Sequence, residues 1–331
     1  MNKVVRFGIL GCGMVAAFHA AALAQIENAV LVGVADADPN RAKVFAEERG
    51  VTAYTDYTQM LADASVDAVC ICTPSGFHTK NTLQALVTGK HVVLEKPMTL
   101  TVEDADRVID ACERYGKLVT VISQFRFSDD VQRVKELVDE GAFGTLAFCN
   151  LSMKYWRDPS YYANSNWKGT YAIDGGGALI NQGIHGVDLL LHIMGDAKVV
   201  AAKTRTAFHN IEAEDSAVAL LEFANGCLGT LEASTCTYPG FERKIEIYGS
   251  EGCAFLRENR LEKLIVHGKT LIDRKVETVH TSADPAAMSC DQHRLQLQNF
   301  VGAINGEEPL MIDPKQGRRA VKLVQEVYQH R

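Results

Sequence analysis

Residues 8–16 read GILGCGMVA, and the fold is decided there. The apolar run that ends at Leu10 is strand-like, and MVAAFHAAALAQ, which follows the glycines, reads as a helix. Between them Gly11, Gly13 and Ala16 have the spacing GxGxxA. A strand, a glycine turn and a helix N-terminus in succession form a cradle for a pyrophosphate. Gly11 permits the tight turn, Gly13 lets the anion approach the backbone, and Ala16 lets helix and strand pack closely. The N–H groups of the first helical turn, which starts at Met14 and Val15, then face the negative charge. Asp36 ends the next apolar run, LVGVADA, where a carboxylate accepts hydrogen bonds from a ribose 2′-hydroxyl. A carboxylate there repels a 2′-phosphate, so the cofactor expected is NAD rather than NADP. Arg41 is the nearby residue that would accommodate the phosphate instead.

The same alternation continues outward. VRFGILG, LVGVADA, DAVCICTP, HVVLEKP and LVTVISQ read as strands. Between them lie the helical segments PNRAKVFAEERG, FHTKNTLQALVTG and VEDADRVIDACERYG. Strands alternating with helices predict a doubly wound parallel sheet, and near-continuous apolar strands such as AVCIC fit burial on both faces. After about residue 123 the pattern changes. TLAFCNLSMKYW, AVALLEF, CLGTLEAST, RKIEIYG, CAFLRE and KLIVHG read as strands joined by short turns, which predicts an open, mainly antiparallel sheet. The expected class is α/β: a dinucleotide-binding domain over 1–123 and an α+β substrate and oligomerisation domain over 124–331. The closing helices, HRLQLQNFVGAI and PKQGRRAVKLVQEVYQ, are free to return to the first domain.

Bulk properties narrow the function. The 331 residues suffice for two cores, and 34 Lys and Arg against 41 Asp and Glu leave a net charge of −7, so no basic surface calls for nucleic acid. No apolar run reaches the roughly 18 residues of a membrane span, and no cleavable signal segment is expected. The nine cysteines are odd in number and none has CxxC spacing, which reads as reduced, cytoplasmic usage with no metal site.

Two further motifs carry chemistry. LEKP, residues 94–97, ends a strand of the parallel sheet and puts Lys96 on the same edge as the glycine turn. GGGALINQGIHGVDLL, residues 175–190, begins with three glycines and continues with helical spacing, so Asn181, His185 and Asp188 share one side of a helix. Together with GILGCGMVA and CTPSGFH, in this order, these motifs resemble the Gfo/Idh/MocA family of glucose–fructose oxidoreductase, inositol dehydrogenase and relatives. The resemblance extends over nearly the whole chain. It implies a Rossmann domain followed by an open-faced α/β domain whose exposed sheet mediates a homodimer or homotetramer. It implies that Lys96 and His185 line the nicotinamide site, that Pro97 follows a cis bond, and that Thr73, Pro74, His78 and Glu95 belong to the cofactor side. It implies oxidation of a secondary hydroxyl on a sugar or polyol, or the reverse reduction.

The chemistry accounts for those residue types. Hydride leaves a carbinol carbon only if the hydroxyl proton leaves too, so a group of tunable pKa must touch that oxygen. Histidine titrates near neutrality, and a lysine beside the nicotinamide either takes the proton or stabilises an alkoxide. The two are expected to converge from different domains, with the glycines letting the helix start close to the cofactor. His185 as a core histidine satisfied by Asp188 is the competing reading. Relatives often carry Asp where this chain has Asn181; asparagine takes no proton, so either His185 works with Lys96 alone or Asn181 orients substrate. KYWRDPSYYANSNWKGTYAIDGGG, residues 154–177, concentrates Trp156, Arg157, Tyr162, Trp167 and Lys168. Aromatic faces pack on sugar rings and cationic tips bind their anionic groups, so this segment either covers the substrate or packs on its own sheet. Arg126, in SQFRF, matches a position that often points to the cleft. Glu212, Glu214 and Asp215 read as a solvated turn. WKGTYAIDGGGALINQGIH is similar to nucleotide-sugar 3-dehydrogenases, whose substrates are UDP-linked N-acetylated uronic acids. An NAD-using glycosidase and a non-catalytic dinucleotide-binding regulator are the remaining alternatives.

Overall fold

Six parallel strands realise the N-terminal alternation. β1 (Val5–Leu10), β2 (Ala29–Ala35), β3 (Thr52–Tyr54), β4 (Ala68–Ile71), β5 (His91–Leu94) and β6 (Val119–Val121) lie in the order β3-β2-β1-β4-β5-β6. The computed structural model describes residues 3–276 and 289–330. Ala68, Val69, Cys70 and Ile71 of β4 are all buried, as a strand covered on both faces requires. The strand order reverses between β1 and β4, and a crevice opens beyond the carboxyl ends of such neighbours. Gly11 follows β1 there, and Thr73 lies just after β4. β3 escapes the sequence reading because it is short and mostly exposed, with little apolar signal.

The chain divides into two compact units, Met1–Gln124 with Ser289–Arg318, and Phe125–Met288 with Arg319–Arg331. The helix Asp291–Asn305 belongs to the first, where Leu297, Phe300 and Val301 join Phe7 and Ile9 in one core. Gln296 of that helix accepts the Ser123 N–H at 3.0 Å and donates to the Val121 carbonyl at 2.8 Å, which satisfies the end of β6.

In the second unit, β7 (Leu146–Lys154), β8 (Ala197–Arg205), β9 (Ser216–Phe223), β10 (Leu228–Ser234), β11 (Lys244–Gly249), β12 (Gly252–Arg257), β13 (Arg260–Val266) and β14 (Lys269–Asp273) form one sheet. Its order is β14-β13-β12-β11-β7-β10-β9-β8. β7 and β10 pair in parallel, and the other described pairs are antiparallel. Cys149, Leu151 and Met153 of β7 turn inward to a core shared with Leu189, Leu190 and Ile193 of the helix Ile184–Met194. β8 was not legible because a register shift between Val199 and Ala201 breaks its alternation. β14 is largely exposed. The helix Asp129–Asp139 carries a buried stripe of Val131, Val134 and Leu137 that a strand-centred reading passes over. Among the described residues no helix is long and apolar enough to cross a membrane.

Candidate active site

The residues expected to meet the cofactor lie in the first unit. Gly11 adopts φ +90°, and a Cβ there would stand 2.7 Å from the Cys72 carbonyl oxygen, so only glycine fits. Ala16 is fully buried between helix and strand. Gly13 differs: a Cβ there meets nothing within 4 Å, and no side chain caps the helix Met14–Leu23 that it begins. Met14 is exposed and Val15 half-buried. That uncapped N-terminus beside open space fits a pyrophosphate. Gly13→Val is expected to leave the thermal midpoint near the wild-type value while weakening NAD at least about ten-fold; fluorescence titration with NADH checks it.

Asp36 completes this set. Its Oδ2 accepts the Cys12 N–H at 2.7 Å and its Oδ1 accepts the Asp38 N–H at 2.8 Å, so the carboxylate is fastened to the glycine turn. Arg41 is an exposed side chain 3.6 Å from Asp36 Oδ1.

Two buried histidines tie the strand-end loops together. The nitrogens of His78 face carbonyl oxygens of both cofactor-side loops, Nδ1 at 2.7 Å from Pro97 and Nε2 at 2.9 Å from Thr73. Burial lowers its pKa against the pull of these two acceptors. The Thr73–Pro74 and Lys96–Pro97 segments therefore meet at one imidazole ring, and the Lys96–Pro97 peptide is cis, as the resemblance implied. His19, in the first helix, is fully buried and its Nε2 donates to Glu95 Oε1 at 2.8 Å. Glu95 Oε2 accepts the Lys96 N–H at 3.2 Å. Burial opposes ionisation of Glu95, but the hydrogen bond and charge of His19 bring its pKa down to about 2. His293 completes a group in which one ligand atom each from His19, Glu95 and His293 fall within 4.8 Å of one another. The donor set suits a metal ion, yet the carboxylate is already shared by His19 and the Lys96 N–H.

The remaining residues singled out from the sequence lie in the second unit. The segment after the glycines is not one helix. Residues Ala178–Gln182 form a π turn, the Gly183 N–H bonds to the Ala178 carbonyl, and the α-helix starts at Ile184. The glycines also have another use than the one expected. A Cβ on Gly177 would lie 1.9 Å from the Glu214 carbonyl oxygen, and one on Gly176 would lie 2.2 Å from the Tyr328 hydroxyl. They make room for the protein's own chain.

Glu214 and Asp215 are not a solvated turn: they are 2% and 0% exposed. Glu214 accepts N–H groups of Gly177 and Leu179 and the hydroxyl of Tyr328, so it clamps the turn that leads to His185. Asp188 does not satisfy His185 either. It forms a bidentate, buried pair with Arg126, at 2.8 and 2.6 Å. Arg126 is 3% exposed, and its Nε and Nη2 meet this carboxylate. His185 is half-buried, its ring edge-on to Phe125 at 4.9 Å.

Asn181 donates its amide to Asp174, a buried carboxylate seven residues upstream, and accepts from Gln182 at 2.9 Å. The acid absent at position 181 is thus present one contact away. Gln182 accepts from Arg157 at 2.7 Å and donates to the Tyr161 hydroxyl at 2.8 Å. The Lys168 ammonium lies 3.7 Å from the Tyr161 ring centre, and burial lowers its pKa. Tyr162 turns the other way: it is buried and donates to Thr235. Trp156 stacks near Phe208 and Tyr238, and Trp167 is half-buried. The aromatic segment is therefore divided between the sheet and a polar cluster of Arg157, Tyr161, Lys168, Asp174, Asn181 and Gln182. Sequence reading missed Asp174, Gln182, Glu214 and His19. The placement of Asp174 immediately before the glycines was the one local signal available.

Comparison with known proteins decides what this arrangement is. Residues 5–123 match an oxidoreductase family with an NAD-binding Rossmann fold, GFO/IDH/MocA, and residues 131–255 match its C-terminal domain. The chain belongs to this family. It is an NAD-dependent dehydrogenase acting on a CH–OH group. The myo-inositol 2-dehydrogenase of Thermotoga maritima is 27% identical over 325 residues, 96% of this chain and 94% of the relative. The D-glucoside 3-dehydrogenase of Escherichia coli is 26% identical, over 99% of this chain and 95% of that enzyme. The WlbA dehydrogenase of Bordetella pertussis, solved in complex with NADH and UDP-GlcNAcA, is 29% identical. Its fold superposes with a TM-score of 0.89 over 100% of this chain and 96% of that one.

Proposed function

We propose that the enzyme oxidises a secondary ring hydroxyl of an anionic sugar, of the UDP-linked N-acetylated uronic acid class. The observation that carries this reading is the pairing of two cations, Arg157 and Lys168, with the Tyr161 ring beside Asn181 and Gln182. A neutral polyol needs hydroxyl partners only, whereas two partly buried cations meet a carboxylate or diphosphate with charge-assisted hydrogen bonds. The likeness to the WlbA structure with UDP-GlcNAcA supports the same class.

In this reading NAD would supply the acceptor for the hydride that leaves the carbinol carbon. Gly11, Gly13, Met14, Val15, Ala16 and Asp36 would hold it, with Thr73, Pro74, His78, Glu95 and Pro97 shaping the adjoining loops. Lys96 and His185 handle the hydroxyl proton, one accepting it and the other stabilising the charge that develops on oxygen. Asn181, backed by Asp174, orients the ring. A panel of UDP-sugars, free polyols and aldoses, followed by NADH absorbance, tests the class. UDP-GlcNAcA is expected to be turned over in preference to its neutral counterpart UDP-N-acetylglucosamine. Faster turnover of a free cyclic polyol would transfer the assignment to the inositol type, the second reading that the Thermotoga relative favours.

The sheet of the second unit extends the proposal to assembly. Phe148, Val218, Leu220 and Leu228, from β7, β9 and β10, are about half exposed and alternate with buried neighbours, so they share the sheet's open face. An apolar set of this kind marks a contact surface, and we assign it to a second copy of the chain in a homodimer or homotetramer. Sedimentation is expected to show an oligomer that Leu220→Lys dissociates; a monomeric wild type would remove the assignment. The nine cysteines, all free, fit a cytoplasmic enzyme.

A further inference from the structure

The buried group behind Lys96 has a use of its own. Glu95 is 6% exposed and grips two elements at once: His19 Nε2, from the first helix, on one oxygen and the Lys96 N–H on the other. A carboxylate held on both sides cannot rotate, and neither donor competes with bulk water at this depth. His293 packs edge-on to His19 with ring centres 5.7 Å apart, and Phe18 stacks on His293 at 5.9 Å, so the His19 ring is fixed in turn.

The electrostatics agree with this arrangement. Burial opposes charge on His19, yet its pKa is raised well above the histidine value, with Cys72 and Cys70 beside it. Burial and the His19 charge push His293 down to about 4, so His293 is the neutral partner. The groups facing the pair are therefore Cys70 and Cys72 from the end of β4, Lys96 after β5, and His293 from the helix Asp291–Asn305.

We propose that His19 is a positioning residue for Lys96: through Glu95 it fixes the main chain at Lys96 and so sets where the amine stands over the nicotinamide site. The proposal rests on the reading of Lys96 as a group at the reacting hydroxyl. Without His19 the buried carboxylate loses its charge-assisted donor and must turn or admit water. The Lys96 peptide then loses its fixed acceptor. A displacement of about 1 Å at a catalytic group lowers turnover by up to about 100-fold.

The test compares His19→Leu with His19→Gln, whose amide restores a neutral donor, in the full-length protein with NAD bound. Amide hydrogen exchange is read at Lys96 and, as a control, at Val69 in β4. Turnover of UDP-GlcNAcA is measured for H19L, K96A and the double variant. H19L is expected to speed Lys96 exchange at least about ten-fold with Val69 unchanged. It is also expected to lower kcat about 30-fold with KM little affected, and to add nothing in the K96A background. H19Q is expected to recover most of both effects. Lys96 exchange at the wild-type rate in H19L, or losses that multiply in the double variant, would overturn the positioning role. General protection loss in H19L that H19Q does not repair overturns it as well, by reducing His19 to a core residue. Wild-type turnover in K96A alone removes the catalytic reading of Lys96 and this proposal with it. That failure is distinguishable, because the exchange measurement does not depend on activity.

Discussion

Replacing Lys96 by alanine is expected to lower kcat by about 1000-fold while the NAD dissociation constant changes little, and His185→Ala is expected to give a loss of the same order. The size follows from what each group does. Proton transfer by a positioned side chain contributes about 100- to 10,000-fold, and stabilisation of a developing oxyanion is of similar magnitude. The sparing of NAD follows from the cradle. Gly11 follows β1, Gly13 caps the first helix and Asp36 follows β2, whereas Lys96 follows β5. Lys96→Arg is the informative control: it keeps the charge but cannot take the proton near neutral pH, so partial activity there assigns Lys96 to charge stabilisation and His185 to proton transfer. Single-turnover absorbance of NADH separates the chemical step from product release. A Lys96→Ala enzyme with wild-type kcat would exclude the amine from the reaction.

Asp188→Ala is expected to be the most damaging change to stability outside the glycines, by about 3–5 kcal/mol. The pair with Arg126 is bidentate, its side chains are 3% and 7% exposed, and it joins the turn Gln124–Phe127 to the helix that carries His185. Removing the carboxylate leaves a buried guanidinium without the acceptor that held it on two nitrogens. Removing both partners is a different experiment. Arg126→Met with Asp188→Leu takes away the buried charge altogether and is expected to recover most of the loss, because a buried ion pair is often no better than a packed hydrophobic pair. Urea denaturation of the two single variants and the double variant gives the coupling directly. A single variant within about 0.5 kcal/mol of wild type would show that water reaches the guanidinium after all.

Much of the first unit was legible because its signals are local. GxGxxA works through backbone sterics at Gly11 and access at Gly13, and both positions behave as the motif demands. β4 reads as buried because four apolar residues in a row have no polar face to show. The second unit was legible as far as alternation persisted: Cys149, Leu151 and Met153 give β7 away, whereas the bulge in β8 removed the pattern. The glycines at 175–177 were correctly singled out, but their purpose was not readable. Only the structure brings the Glu214 carbonyl and the Tyr328 hydroxyl against them, from 37 and about 150 residues away along the chain.

By itself the sequence determined the two kinds of sheet and the dinucleotide cradle. Both rest on interactions between residues a few positions apart, where period and backbone sterics are written directly in the chain. Tertiary structure alone decided the partners. Asp188 belongs to Arg126 across 62 residues and Glu95 to His19 across 76. Glu214 is a buried clamp, and Asp174 stands behind Asn181. A charged residue in a sequence looks the same whether it faces water or an opposite charge in the core. What separates the two cases is desolvation, and desolvation exists only once the chain has packed.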